Sequence, residues 1–287
     1  MSDVLCESIK MNTLIGGLQT LGLKKKCYPD KPLVTIITVV INSEFLLERT
    51  ILSVLSQDYE NIEYIIVDGG STDTTLDVVR NYESRIDYWI SEPDQGISHA
   101  MNKGITFANG KLIHHLHAGD EFACENVVSR VVLSYNREKW KWCFGNQILT
   151  NVSGDETYRF CPPEFKNWKL YLLNTIPHAT VFSESSLFVS AGYFSMSYQC
   201  AMDYHLWLRF STISKPKQFD FEIARFLIGG RSSNIQLALG EERKARQEIL
   251  DRSLFFVIVD IFIFLIRLIK YYLNIKSFAR KIESEKI

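Results

Sequence analysis

Residues 34–73, VTIITVVINSEFLLERTILSVLSQDYENIEYIIVDGGSTD, decide the fold. Val34 to Ile41 is apolar and β-branched with almost no polar alternation, the pattern of a strand buried on both faces. Asn42 or Ser43 can cap the following helix, where Leu46, Leu47, Thr50, Ile51, Val54 and Leu55 form a stripe of 3.6-residue period. A second strand follows at Tyr64 to Val67, then a polar turn from Asp68 to Asp73 and a helix from Thr75 to Tyr82.

The alternation continues outward, with a strand over Ile86 to Ile90, a helix over Gly96 to Ala108 and a strand over Leu112 to Leu116. It predicts an α/β fold whose central sheet is mostly parallel and flanked by helices. Ligands of such sheets sit beyond the carboxyl ends of the strands, where Asn42, Asp68 and Asp120 all fall. Further on, a helix is expected over 123–136 and antiparallel strands within 140–160. Residues 1–31, with short apolar patches broken by Gly16 and Gly17, read as a loosely attached arm. Leu254 to Leu273 is strongly apolar, but Asp260, Arg267 and Lys270 make it a poor transmembrane span. An amphipathic helix lying in the membrane interface is expected, with Lys276, Arg280 and Lys281 meeting anionic headgroups.

The chain of 287 residues is long enough for a large core without staples. Its net charge of -1 offers no field for nucleic acid, so no nucleic-acid partner is expected. Six scattered cysteines without a CxxC pair read as buried apolar residues in a reducing compartment. The N-terminus lacks the pattern of a cleaved secretory signal, which implies a cytoplasmic location. GxGxxG and GxxxxGK[ST] loops are both missing, which disfavours NAD enzymes and P-loop ATPases.

Four constellations can carry chemistry. Asp68-Gly69-Gly70-Ser71-Thr72-Asp73 either binds a ribose or base through its carboxylate or is an Asx turn that closes a strand. Asp120, in His117-Ala118-Gly119-Asp120-Glu121, is suited to Mg2+ or Mn2+, hard ions that take one or two carboxylates plus ligand phosphates. A zinc site built on His114, His115 and His117 is disfavoured, because in a strand His114 faces away from the other two. Asp203, in Met202-Asp203-Tyr204-His205, is a general base or a helix-start cap. Gly229-Gly230-Arg231-Ser232 either holds phosphate or is an ordinary turn.

Several ordered motifs resemble the inverting glycosyltransferase family 2, of GT-A fold, in its branch for colanic-acid, capsule and lipopolysaccharide assembly. Val34 to Asn42 resembles the family's opening strand, Thr50 to Gln57 its TxxSVLxQ helix, and Ile66 to Thr75 its DGGSTDxT turn. Glu92-Pro93-Asp94-Gln95-Gly96-Ile97 followed by Ala100-Met101-Asn102-Lys103-Gly104 is the most specific match. The resemblance runs from Pro32 to about Ser233. It implies a glycosyltransferase domain over 32–235, divided into a nucleotide-binding half (32–122) and an acceptor half (123–235), then a membrane-associating helical segment over 236–287.

The resemblance also implies roles. Asn42, Asp68, Gly69, Asp94, Lys103 and His117 would serve the nucleotide and donor, Asp120 the metal, and Asp203 the catalytic base. His178, Gly229, Gly230, Arg231 and Ser232 would lie on the acceptor or diphosphate side. His178-Ala179-Thr180-Val181-Phe182 is similar to the family's HQATF strand without its Gln. His117 stands where Asn or Asp is usual, and Ser98-His99 replaces Tyr-Asp. The expected activity is metal-assisted transfer from a UDP-, GDP- or TDP-sugar to a glycan acceptor, lipid-linked and met at the inner face of the cell membrane. A non-catalytic sugar-nucleotide scaffold or sensor and a nucleotidyltransferase are the alternatives.

Overall fold

The computed structural model describes residues 13–229, 235–250, 262, 265 and 266. Its centre is the strand β2 (Val34–Val40), in which all seven residues are buried. The two-faced burial predicted for it is met by two apolar clusters. Val34, Ile36 and Val40 belong to one, with Leu47, Ile51 and Val54 of α1 (Glu44–Leu55). Ile37 and Val39 belong to the other, with Ala100, Met101 and Ile105 of α3 (Ile97–Phe107). β3 (Ile62–Asp68) divides its side chains in the same way. Strand periodicity therefore sends alternate residues of one apolar run into two separate cores.

β4 (Tyr88–Ser91), β3, β2 and β5 (Leu112–His115) pair in parallel, with α2 (Thr75–Asn81) between β3 and β4. Beyond β5 the sheet becomes mixed. With β1 (Leu14–Gly16), strands β6 (Glu121–Phe122), β7 (Trp142–Thr150), β8 (Glu156–Phe160), β9 (Phe182–Glu184) and β10 (Lys217–Leu227) complete the order β1-β4-β3-β2-β5-β9-β7-β10-β6, and β8 pairs with the end of β7 off that order. β9 runs antiparallel to both β5 and β7, so it joins the parallel first half to the second. Helices α4 (Val127–Glu138), α5 (Asn167–Leu172), α6 (Ser185–Ala191), α7 (Met202–Ile213) and α8 (Ile235–Ile249) complete the layers.

The arm is less loose than its glycines suggest. Leu14–Gly16 forms β1, antiparallel on the outer edge of β4. At Gly16 an added Cβ would stand 2.5 Å from the Trp89 ring, so the glycine that breaks the apolar patch is what lets the chain lie against the edge. Gln19 Nε2 then donates to the buried Glu63 carboxylate at 2.7 Å, and Lys25 Nζ pairs with the buried Asp87 at 2.8 Å. The cysteines also differ from expectation. Five are described, all as free thiols, and only Cys143 is buried, while Cys27, Cys124 and Cys161 are exposed.

Gly104 explains one residue of the Ala100–Gly104 motif. It seats α3 on β2 so closely that a Cβ would meet Ile37 Cγ2 at 2.4 Å. Among the described residues, Gly240 in α8 has no heavy atom within 4 Å of the same added Cβ. Gly104→Ala is expected to destabilise the fold by about 1–2 kcal/mol, since overpacking outweighs the gain of about 1 kcal/mol in helix propensity. Gly240→Ala is expected to stabilise it by up to about 1 kcal/mol. Urea midpoints of the two variants, moving in opposite directions from the parent, check the pair.

Candidate active site

A cavity of about 780 Å³ opens at the carboxyl ends of β2 and β5. Its walls bring together Asp94, His117, Asp120, His178, Asp203 and Gly229, residues drawn from both halves of the sequence. The loop after β5 supplies His117 and Asp120. It is held from α1 by three polar side chains spaced three and four residues apart, which puts them on one helix face. Thr50 Oγ1 donates to the Asp120 carbonyl at 2.8 Å and accepts the Gly119 N–H at 2.9 Å. Ser53 Oγ accepts the Phe122 N–H at 2.6 Å. Gln57 donates to the Cys124 carbonyl and accepts the Val128 N–H. The TxxSVLxQ pattern is thus a positioning device for the acidic loop.

Asp120 is only 5% exposed, and its Oδ1 accepts the Leu227 N–H at 3.1 Å. Burial pushes its carboxyl up to about 7; the charge of Glu121 adds to the rise and the Leu227 N–H opposes it. A carboxylate in this state is strongly stabilised by an added cation. The same loop needs Gly119, whose φ of 99° lies in the left-handed region and whose Cβ would meet Leu227 Cδ2 at 2.9 Å.

Asp203 sits in the first turn of α7, with its Oδ1 accepting the Tyr204 N–H at 2.6 Å. The side chain thus accepts a first-turn N–H and also lines the cavity. The residue keeps partial contact with solvent, yet the packing around its carboxyl raises it to about 7. Loss of solvation is the main cause. The Tyr204 N–H pulls the other way, Glu242 adds to the rise, and a hydrogen bond from Asn174 opposes it.

The histidines form a group that the sequence did not reveal. His114 turns to the opposite core, stacked at 4.1 Å on Phe182, its Nδ1 2.8 Å from the Val181 carbonyl. His117 stacks on His178 with ring centroids 4.9 Å apart, and His115 lies 6.0 Å from His178. Burial depresses all three, His178 to about 4 and the other two well below their ordinary value, so the rings are neutral at pH 7. Among the described residues, no hydrogen-bond partner meets the buried His117 Nδ1, His115 Nε2 and His178 Nε2.

Other expected residues do not line this cavity. Asp68 is buried and accepts from Ser91 Oγ at 2.6 Å, from the N–H groups of Gly70 and Ser71, and from the Ser71 hydroxyl, which is the Asx-turn reading. Asn42 ties its strand to that turn, accepting the Thr72 N–H at 2.9 Å. Gly69 acts by absence, since a Cβ there would stand 2.5 Å from Asp94 Oδ2. Lys103 pairs with Glu92 at 2.6 Å. Gly230, Arg231 and Ser232 lie outside the described residues. Conversely, Gln147, Asn174 and Gln199 line the cavity without having been expected. Each is a single amide in a segment with no motif, so no local pattern could mark it.

The residues fit a hard divalent ion of the kind that shares its coordination with ligand phosphates. Among the described residues no group of three His, Cys, Asp or Glu is arranged to hold an ion by itself. Asp120 offers one buried carboxylate, the number such an ion takes when a diphosphate supplies further oxygens.

The sequence model for Glycosyl transferase family 2 matches residues 35–181. An uncharacterised glycosyltransferase of Mycobacterium tuberculosis is 33% identical over 189 residues, covering 64% of this chain and 71% of that protein. Among solved structures, residues 1–349 of TarS from S. aureus, in complex with UDP-GlcNAc, superpose with a TM-score of 0.60 at 16% identity, over 76% of this chain and 65% of that one. This chain spans 43% of the longer TarS. A mannosyltransferase from Pyrobaculum calidifontis, solved with GDP-Man and Mn2+, has a TM-score of 0.54 at 16% identity over 81% of this chain and 66% of that one. With a sheet of the expected kind, helices on both faces and a family match over residues 35–181, half of its length, this chain is an enzyme of glycosyl transferase family 2.

Proposed function

We propose that the chain transfers a sugar from a nucleoside-diphosphate donor to a hydroxyl of a glycan acceptor, with inversion, in the assembly of a surface polysaccharide. The observation that carries this reading is the convergence of Asp120 and Asp203 on one cavity, each with a carboxyl raised by burial to about 7. The donor class is supported by the UDP-GlcNAc and GDP-Man of the two similar structures. The neutral rings of His117 and His178 on the cavity wall are suited to exchange hydrogen bonds with a sugar hydroxyl.

In the displacement, the acceptor oxygen bonds to the anomeric carbon as the bond from that carbon to phosphate breaks. The nucleoside diphosphate leaves with the electron pair, and Asp203 takes the acceptor's proton. A base with a carboxyl near 7 is matched to neutral working pH, because both its ionised fraction and its basicity are then substantial. Asp120 would hold a divalent cation, which when bound neutralises charge on the departing diphosphate. Asp94 is fixed beside Gly69 by the Gly96 N–H at 2.7 Å, a rigid wall for the donor side.

The acceptor is proposed to be lipid-linked and met at the inner membrane face through residues 254–281. Most of that segment lies outside the described residues; Phe262, Leu265 and Ile266 are helical and exposed. Among the described residues no helix is long and apolar enough to cross a membrane.

Four outcomes test these assignments. Asp203→Asn is expected to lower transfer by about 10²–10⁴-fold with nucleotide affinity within a few-fold of the parent. The parent's kcat is expected to climb as pH rises through about 7, where Asp203 ionises. Near-parental transfer in the folded Asn variant would leave Asp203 as a cap alone. Asp120→Ala is expected to fold but to lose stimulation by Mn2+ or Mg2+; activity equal to the parent's at saturating metal would remove the metal role. The chain cut before Leu254 is expected to leave the membrane fraction while still binding nucleotide, and a full-length chain that ignores anionic liposomes would refute the membrane role.

A further inference from the structure

The start of α7 is held by a residue that does not itself line the cavity. Ala201 is the residue before the helix and has no side-chain oxygen with which to cap it. The three N–H groups that precede the helix instead converge on one carboxylate from α8. Glu241 Oε2 accepts from Cys200 at 2.7 Å, Ala201 at 2.9 Å and Gln199 at 3.1 Å, and Oε1 takes the Gln199 N–H at 2.8 Å. Successive N–H groups form a concave anion seat, and hydrogen bonds to an ionised acceptor are about twice as strong as neutral ones.

This seat belongs to the site. Gln199, Cys200, Met202 and Asp203 all line the cavity, whereas no described residue of α8 does. The rest of α8 braces the same segment: Tyr198 Oη donates to Glu248 at 2.6 Å, and Lys244 lies 4.7 Å from the Tyr198 ring. Arg246, buried and paired with Glu242, sits 5.9 Å from the Tyr204 ring centroid. The chain on both sides of Asp203 is thereby referred to α8.

We infer that Glu241 is a positioning residue for the catalytic carboxylate: by gathering the N–H groups of residues 199–201 it fixes where α7 begins and so where Asp203 meets the acceptor. The inference rests on the reading of Asp203 as the base. Glu241 touches neither donor nor acceptor, so its effect falls on turnover rather than on donor affinity. Its effect also vanishes once Asp203 is gone, because residues that act as a unit are not additive.

The test uses the full-length chain with Mn2+ and UDP-N-acetylglucosamine or GDP-mannose, whichever the parent cleaves, read as release of nucleoside diphosphate. Binding of UDP or GDP is measured on the same preparations. Glu241→Ala is expected to lower kcat by about 10–100-fold, with the nucleotide Kd within about three-fold and no further loss when added to Asp203→Asn. Glu241→Gln keeps one acceptor oxygen but turns an amide toward a donor, so a smaller loss of about 3–10-fold is expected. This variant also carries the test if the alanine chain does not fold. Amide hydrogen exchange, which needs no substrate, is expected to quicken at least tenfold over residues 199–204 in Glu241→Ala and to stay unchanged in α3.

Parental kcat or parental exchange in both folded variants would overturn the inference. So would a loss that persists in full in the Asp203→Asn background, or one shared equally by kcat and nucleotide affinity. If Asp203→Asn alone retains activity, the reading of the base fails first, and that outcome is distinct from a failure of Glu241 when Asp203→Asn is inactive.

Discussion

The hydroxyl of Thr50 is the point on which the site depends. It bonds the Asp120 carbonyl and the Gly119 N–H at once, fastening the acidic loop after β5 to the helix after β2. Thr50 is fully buried, so neither backbone group can turn to water when the hydroxyl is lost. With Ser53 and Gln57 continuing along the same face, α1 becomes a template that sets the loop's path from Gly119 to Val128. A helix whose apolar stripe is committed to the core thus carries a polar stripe committed to the site.

The cavity combines low polarity with two carboxylates that burial makes reluctant to ionise. The nearby histidines are neutral for the same reason, so they act as directional hydrogen-bonding groups and not as cations. Low dielectric sharpens every polar contact made within the site, and the walls supply few competing ones.

The second half of the sheet reaches this cavity because β9 reverses direction beside β5. That antiparallel pairing follows directly on the His178 segment, which is how His178 comes to stack on His117. β10 adds a second closure, its end bonding Asp120 across 107 residues of sequence. α7 and α8, which flank β10 in sequence, pack as a pair, so the Asp203 side of the cavity rests on two helices joined across a strand of the sheet.

The sequence alone determined the alternation of strands and helices, the two-sided burial of β2 and β3, the polar turn at Asp68 and the acidic loop at Asp120. These are local properties: periods of 2 and 3.6 residues encode which faces are apolar, and strand ends follow from where the apolar runs stop. The motifs of the first half also carried the family, including Gly104, whose packing role the structure explains. Tertiary structure alone decided that Asp120 and Asp203 share a cavity while Asp68 accepts hydrogen bonds from its own turn and from Ser91. It likewise decided that His178 joins His117 and that residues from Leu14 onward complete the sheet edge. Asn174 and Glu241 reach the site only through long-range packing, and the bonds of Glu241 span 40 residues and more. No periodicity encodes such meetings, because they depend on strand order and helix packing, which are fixed by the whole core and not by any segment of it.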